Sequence, residues 1–333
     1  MATRNTRALF DIVAGFVYAQ TLAAMVELDI FRRLGQSPAD TATLAAETGL
    51  PERSVEVLMT SAAALGLVDR RRAGWGLGLK GAAILGQGGI AEMVAHHRHF
   101  YADLADPVRL MRGDRPTELA RFWTYAAGER AGDGDAAGYT ALMAASQAFV
   151  ATAVLHHAAF ARANHLADIG GGAGAFAIAA LERHPKLTAT VCDRPDVLPH
   201  ARAAIENAGL SGRARAIAVD FFADPPPPEA DLLTLVRICH DHDDEAVARL
   251  LGNLARGAPN APLLVIEPMA DRRNPSGLDA YFPWYFSAMG QGRYRSADEL
   301  SALLRDAGYR SVRPLRSRNP TLVRVLTARV SAD

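Results

Sequence analysis

The chain is short of several things, and each shortage narrows what it can be. It has two cysteines in 333 residues, Cys192 and Cys239, and both fall in apolar, strand-like runs. Two such thiols build no disulfide framework and read as buried side chains in a reducing compartment, the cytoplasm. Lysine is equally scarce, with Lys80 and Lys186 alone among 36 basic residues. Arginine is therefore a compositional habit here, and an isolated Arg says little about anion recognition. The formal net charge is +0 at pH 7, which removes the positive field that nucleic-acid or anionic-membrane binding draws on. Long apolar runs are missing too: Arg7 and Asp11 interrupt MATRNTRALFDIVAGF, so the sequence predicts neither an export signal nor a membrane span.

What is present is apolar material for two domains of ordinary size, at 50% hydrophobic residues. The first hundred residues lack strand alternation and space their apolar residues at helical intervals. Residues 40–80 read as helix, turn, helix and wing: TATLAAETGL, then a helix opened by Pro51 with Val55, Leu58, Met59, Ala62 and Leu65 on one face, then a hairpin ending at Leu79. A winged helix invites a DNA-binding reading, but its second helix carries only Arg53 as a base, and Arg70 to Arg72 at the wing tip suit solvation. An apolar winged helix without a basic face is expected to pack against a second copy, as a homodimer, with no nucleic acid and no membrane. Residues 1–95 are assigned to this domain, and 96–150 to linker helices broken by the glycine-rich AGERAGDGDAAG.

From residue 151 onward short apolar strands alternate with helices: HLADIG, TATVCD, RAIAVD, DLLTLVRIC and APLLVIEP. This pattern predicts an α/β domain, a Rossmann-like, mostly parallel sheet. Ser296 with Glu299 three residues later is a capping box for a late helix, and SVRPLRS and TLVRVLTARV would add an antiparallel edge hairpin. In Asp168-Ile-Gly170-Gly171-Gly172-Ala173-Gly174, a strand ends and a helix begins, which brings backbone amides close to a ligand at the sheet's carboxyl edge. Asp193, ending the next strand, suits ribose hydroxyls. Asp220 and Phe221, after the third strand, offer an acceptor for an adenine amino group and a face for its ring. These features say nucleoside; Gly170, Gly172 and Ala175 satisfy a dinucleotide pattern as well, which keeps a nicotinamide oxidoreductase in view. At the end of the fourth strand RICHDHDDE puts His240 where open sheets place reactive groups. Its two histidines and three aspartates look like metal ligands, but neighbours at a strand-to-helix junction diverge, and Asp243 or Asp244 is explained as a helix cap, so no metal is expected.

The strings DIGGGAG, CDRPDV, VDFF, RICHDHDDE and LLVIEP resemble, in order and spacing, the small-molecule O-methyltransferases, which include plant caffeate and acetylserotonin enzymes and bacterial polyketide and carotenoid tailoring enzymes. The resemblance spans nearly the whole chain and implies a class I methyltransferase domain over 151–333, a dimerisation domain before it, and S-adenosylmethionine as cofactor. By this likeness His240 is the general base and Glu267 the carboxylate that orients it, expected to hold one ring nitrogen as donor so that the other stays free. The implied cofactor set is Asp168, Gly170, Gly172, Gly174, Asp193, Asp220, Phe221 and Arg237, with Met143 and Ser146 from YTALMAASQ. Tyr101, Trp123, Tyr139, Trp284, Met289 and Tyr294 are expected around a planar, apolar acceptor of aromatic or polyketide type. Three positions depart from the family pattern: Val236 for a lysine, His242 for a tryptophan, and Tyr294 for a second histidine-orienting glutamate. Carbon or nitrogen methylation, a non-methylating reaction and a nucleoside-sensing DNA-binding regulator are the alternative functions.

Overall fold

The computed structural model describes residues 2–86, 89–114, 116–126, 147, 149–320 and 323–330. The chain divides into two compact units, Met1–Arg98 and His99–Asp333.

The first unit is helical, with one small hairpin. Helix α1 (Ala2–Glu27) leads through α2 (Ile30–Gln36) to α3 (Thr41–Thr48) and α4 (Glu52–Ala64), and β1 (Val68–Arg71) pairs antiparallel with β2 (Gly74–Leu77) as the wing, followed by α5 (Leu79–Gly86). Asp40 caps α3 through the Thr43 amide, and Gly49 ends it in the left-handed conformation that its missing Cβ allows. Phe31, Leu44, Val55, Met59, Val68 and Trp75 form the core. The wing arginines are partly occupied: Arg70 lies 4.4 Å over the Trp75 ring and 2.9 Å from Glu56, and Arg71 donates to the Leu77 carbonyl.

Arg7 and Asp11 do not interrupt α1, since a charged side chain is tolerated wherever it reaches water. The helix is consequently more apolar and longer than the sequence pattern suggested: Asn5–Glu27 would be long enough to cross a bilayer, by length and composition only. Leu9, Phe10, Ile12, Val13, Phe16 and Val17 lie 45–76% exposed along it. An apolar surface of this extent marks an interaction face.

The second unit is built on a seven-stranded sheet in the order β5-β4-β3-β6-β7-β9-β8. Strands β3 (His165–Ile169), β4 (Thr188–Asp193), β5 (Ala214–Ala218), β6 (Leu232–Val236) and β7 (Leu263–Glu267) are mutually parallel, while β8 (Ser311–Leu315) and β9 (Arg324–Arg329) form the antiparallel edge. β3, β6 and β7 are buried nearly throughout, which explains their continuous rather than alternating apolar character. One core layer packs Phe160, Phe176, Leu181 and Ile205 on the sheet; the other packs Val247, Leu251, Leu254, Leu300 and Leu304.

The helices that matter for the site are α6 (Ile90–Leu104), α7 (Pro107–Met111), α8 (Glu118–Ala126), α9 (Ala158–Arg162), α10 (Ala175–Arg183), α11 (Leu198–Asn207), α12 (Asp244–Gly257), α13 (Gly277–Met289) and α14 (Ala297–Asp306). The unit boundary falls inside α6. Ser296 and Glu299 form the anticipated capping box at the start of α14.

Candidate active site

The site gathers where β3, β4, β6 and β7 end. A strand that leaves a parallel sheet strands its last amides and carbonyls, and each must find a partner. After β3 the chain turns through Gly170, Gly172 and Gly174, all with φ between +56° and +79°. A Cβ at Gly170 would lie 2.5 Å from Ile238, and one at Gly171 would lie 2.8 Å from Asp168 Oδ2; at Gly172 it would meet nothing within 4 Å. The turn is thus closed on the protein side and open at its tip.

Two carboxylates fix that turn. Asp193 Oδ2 accepts from the Gly172 amide at 2.7 Å, and its Oδ1 accepts from the Arg194 amide at 2.7 Å. Asp168 accepts from the Thr234 hydroxyl at 2.7 Å through Oδ1, while its buried Oδ2 has no partner. Burial pushes the Asp168 carboxyl up to about 7 against the opposing effect of Thr234, and burial raises Asp193 despite its two amide bonds. After β5, Asp220 is exposed and folds its carboxylate onto the Phe222 amide. The Asn253 amide group on α12 holds this loop, donating to the Phe221 carbonyl at 3.1 Å and the Asp224 carbonyl at 2.6 Å.

After β6, Arg237 takes φ +60°, a left-handed conformation rarely adopted outside glycine, with its amide bonded to Ile266 at 2.9 Å. A single 3₁₀ turn, Cys239–Asp241, follows and carries His240. The imidazole is buried, its ring 5.3 Å from that of Phe286, its Nε2 3.3 Å from Asp241 Oδ1, and its Nδ1 without a partner. Burial, with Arg237, His242 and Arg295 nearby, holds His240 well below the ordinary histidine range, so the ring is neutral. Glu267, ending β7, accepts from the backbone amide of His240 at 3.2 Å, and burial raises its carboxyl to about 8. The sequence-based expectation had Glu267 bonded to a ring nitrogen. In the structure it braces the backbone, because β7 ends beside β6 and the turn presents its amide, while Asp241 stands beside the ring.

Several anticipated neighbours take defined positions. His242 lies against the phenyl rings of Phe222 and Phe221, at 5.2 and 6.1 Å, so an aromatic contact survives where the family has tryptophan. Tyr294 stacks on Phe282 at 5.0 Å with its hydroxyl bonded to Asp279, not toward His240. Met289 is buried in a cluster with Phe100, Tyr285 and Phe286; Trp284 packs on its margin. Tyr101 is half-buried in α6, and its phenol is raised by burial. Trp123 belongs to α8 with its side chain outside the described set, and Tyr139, Met143 and Ser146 lie outside the described residues. Asp243 caps α12 through the Ala246 amide at 2.8 Å and Asp244 pairs with Arg295 at 2.7 Å; among the described residues no three metal-ligating side chains converge. His99 stacks on Phe122 at 5.1 Å.

The sequence reasoning missed Thr234, Asn253 and Arg295, which act through single hydrogen-bonding groups far away in sequence; Phe286 was in view only as one ring of the aromatic string DAYFPWYFSAMG.

Comparison with known proteins covers the same ground. The family description of the O-methyltransferase domain matches residues 101–310, and that of the O-methyltransferase dimerisation domain matches residues 10–79. The chain is 38% identical to the demethylspheroidene O-methyltransferase of Cereibacter sphaeroides over 98% of its own length and 87% of that protein's. It is 40% identical to the enzyme of the same name from Rhodobacter capsulatus, over 98% and 82%. Among solved structures, human N-acetylserotonin methyltransferase in complex with SAM superposes with a TM-score of 0.84 at 23% identity, covering 98% of both chains.

The buried acids give a stability prediction. An acid whose folded value is raised keeps a proton that the unfolded chain has released, so its contribution is lost as pH rises through the folded value. Asp168 and Asp241 at about 7 and Glu267 at about 8 all act in this sense, while neutral His240 opposes it only below about 6.5. The urea midpoint of the ligand-free protein should therefore fall between about pH 6.5 and 8.5, and Asp168→Asn should flatten that fall. A midpoint that rises over this interval would contradict the assignment.

Proposed function

The chain belongs to the O-methyltransferase family, and from that premise we propose that it transfers a methyl group from S-adenosylmethionine to a hydroxyl of a small, apolar secondary metabolite, with His240 accepting the hydroxyl proton. The observation that carries the base assignment is the buried, neutral imidazole whose Nδ1 has no partner, one strand over from the glycine turn. Family membership decides against the nicotinamide oxidoreductase and the DNA-binding regulator.

The residues at the sheet edge fit the cofactor. An orphaned carboxylate oxygen on Asp168, a glycine turn open at Gly172 and a buried Asp193 together make a polar cradle beside the apolar Ile238 and Phe221. Asp193 would hold the ribose hydroxyls, Asp220 the adenine amino group and Phe221 the ring face; Gly170, Gly174 and Arg237 complete the set, and Met143 and Ser146 are proposed to border it. When bound, S-adenosylmethionine supplies a methyl group on a positively charged sulfur. The protein's task is then to hold the acceptor oxygen in line and remove its proton. A phenol with a pKa near about 10 is protonated at neutral pH, whereas a neutral imidazole is free to take that proton. Asp241, beside Nε2, favours the tautomer in which Nδ1 keeps its lone pair, and Glu267 steadies the turn that carries the ring. The depressed basicity of His240 puts the acid limb of turnover below about pH 6.5.

Around the acceptor, the rings of Phe286, Phe282, Tyr281, Tyr285 and Phe100 lie 5.1–6.2 Å from their neighbours. Such a wall supports an apolar acceptor, with Tyr101, Trp123, Tyr139, Trp284, Met289 and Tyr294 proposed around it. The 38–40% identity to two demethylspheroidene enzymes makes a demethylspheroidene-type hydroxyl the first acceptor to try. Assembly as a homodimer through 1–95 is part of the proposal, supported by the dimerisation-domain match and the apolar face of α1. A cytoplasmic location is supported by the two free, buried thiols.

Three measurements test these points. Asp193→Ala should weaken S-adenosylmethionine binding in calorimetry by about 1.5–3 kcal/mol, the worth of charged hydrogen bonds; unchanged affinity would remove Asp193 from the site. His240→Ala and His240→Gln should keep cofactor affinity and lose about two to four powers of ten in turnover. That assay uses labelled S-adenosylmethionine with demethylspheroidene, N-acetylserotonin and planar phenols, read by mass spectrometry; wild-type turnover in the variants would end the base assignment, and failure to methylate any hydroxyl would end the acceptor class. Light scattering at micromolar concentration should give a dimer mass that Phe16→Glu reduces to a monomer, and a monomeric wild type would overturn the assembly.

A further inference from the structure

We propose that Arg295 is a positioning residue for His240: its guanidinium ties down both ends of the turn that carries the imidazole and so fixes where the ring points. Arg295 is the largest fully buried side chain described, with 0% of its side chain exposed. Burying a guanidinium is unfavourable unless every donor finds a well-placed acceptor. Its acceptors are all on or beside the turn: Nη1 donates to the Cys239 carbonyl at 2.7 Å, Nη2 to the His242 carbonyl at 2.8 Å, and Nε to Asp244 Oδ1 at 2.7 Å. The carbonyl between them, on His240, accepts from the Arg293 amide at 2.8 Å.

Close approach is built in at Gly292, whose φ is +85° and where a Cβ would lie 2.3 Å from the His240 carbonyl oxygen. The segment 292–295 therefore takes the carbonyls of 239, 240 and 242, while Glu267 takes the amide of 240 from the other side. Through its fixed planar fork a single arginine reaches three acceptors; lysine, a point charge on a flexible stem, cannot. The inference rests on the reading of His240 as base, and it adds what aims that base. Displacing the imidazole by about 1 Å is enough to cost up to a hundredfold in rate.

The test compares full-length wild type with Arg295→Lys, Arg295→Met, His240→Ala and Leu304→Val, the last a core change in α14 away from the turn. Measured are the melting temperature, S-adenosylmethionine affinity by calorimetry, and kcat and KM across pH. Both Arg295 variants should lose roughly ten- to hundredfold in kcat with cofactor affinity held within about threefold. Five groups set the charge around His240: Arg237, Asp241 and His242 on its own segment, Glu267 on β7, and Arg295. Removing the positive charge in Arg295→Met should raise the acid limb of kcat, whereas Arg295→Lys should leave it in place. Should Arg295→Met fail to fold, Arg295→Lys decides. Wild-type kcat in a folded Arg295 variant overturns the role, as does a loss of kcat in Leu304→Val of the same size at the same fall in melting temperature. Wild-type turnover in His240→Ala overturns the base reading instead, so the two failures are told apart.

Discussion

The site depends on one constraint: parallel strands that end side by side leave polar backbone groups with no ladder to join, in a place too buried for water. Three of the polar side chains around the candidate site answer that demand. Asp193 accepts from the Gly172 amide, Glu267 accepts from the His240 amide, and Arg295 donates to the Cys239 and His242 carbonyls of the histidine turn. Ligand contacts are what remains after these obligations are met. Among the described residues, Asp168 Oδ2 and His240 Nδ1 are the buried side-chain groups at this edge left over.

Charge follows the same logic. The edge holds four carboxyls whose burial raises them and a histidine whose burial lowers it, so low charge is the preferred state of the ligand-free edge. A cationic cofactor seated here, as proposed, would favour the ionised form of the carboxyls and have its own positive charge balanced in return. On the proposed mechanism the acceptor's proton would arrive on His240 beside Asp241, whose carboxylate would stabilise the imidazolium.

Much of this was legible in the chain, and what was not has physical reasons. The glycine turn, Asp193 and His240 announce themselves because each stands at the end of an apolar run, where strand and chemistry coincide in sequence. The capping box at Ser296 and the cap at Asp243 are local patterns and were equally readable. Arg295 was not: in a chain whose basic residues are nearly all arginine, one more arginine, 55 residues past the histidine, carries no signal until the fold brings them together. Glu267 was found for its position but given the wrong half of His240, since spacing tells which residues share an edge and not whether a carboxylate meets a ring or a backbone amide. Arg7 and Asp11 break an apolar run on paper, which hid the membrane-spanning length of α1, though they do not break the helix.

Helix α12 has a place in this arrangement beyond its core packing. Its first turn is capped by Asp243, beside the histidine turn, and Asn253 on the same helix holds the loop of Asp220 and Phe221. At about 1.5 Å per residue, the nine steps from Asp244 to Asn253 span about 14 Å. The helix is in effect a gauge block set between the histidine turn and the proposed adenine loop. One added or deleted residue would shift that spacing by about 1.5 Å and swing Asn253 by about 100° around the axis, out of reach of both carbonyls. For both of its ends to serve, this helix has to keep its count.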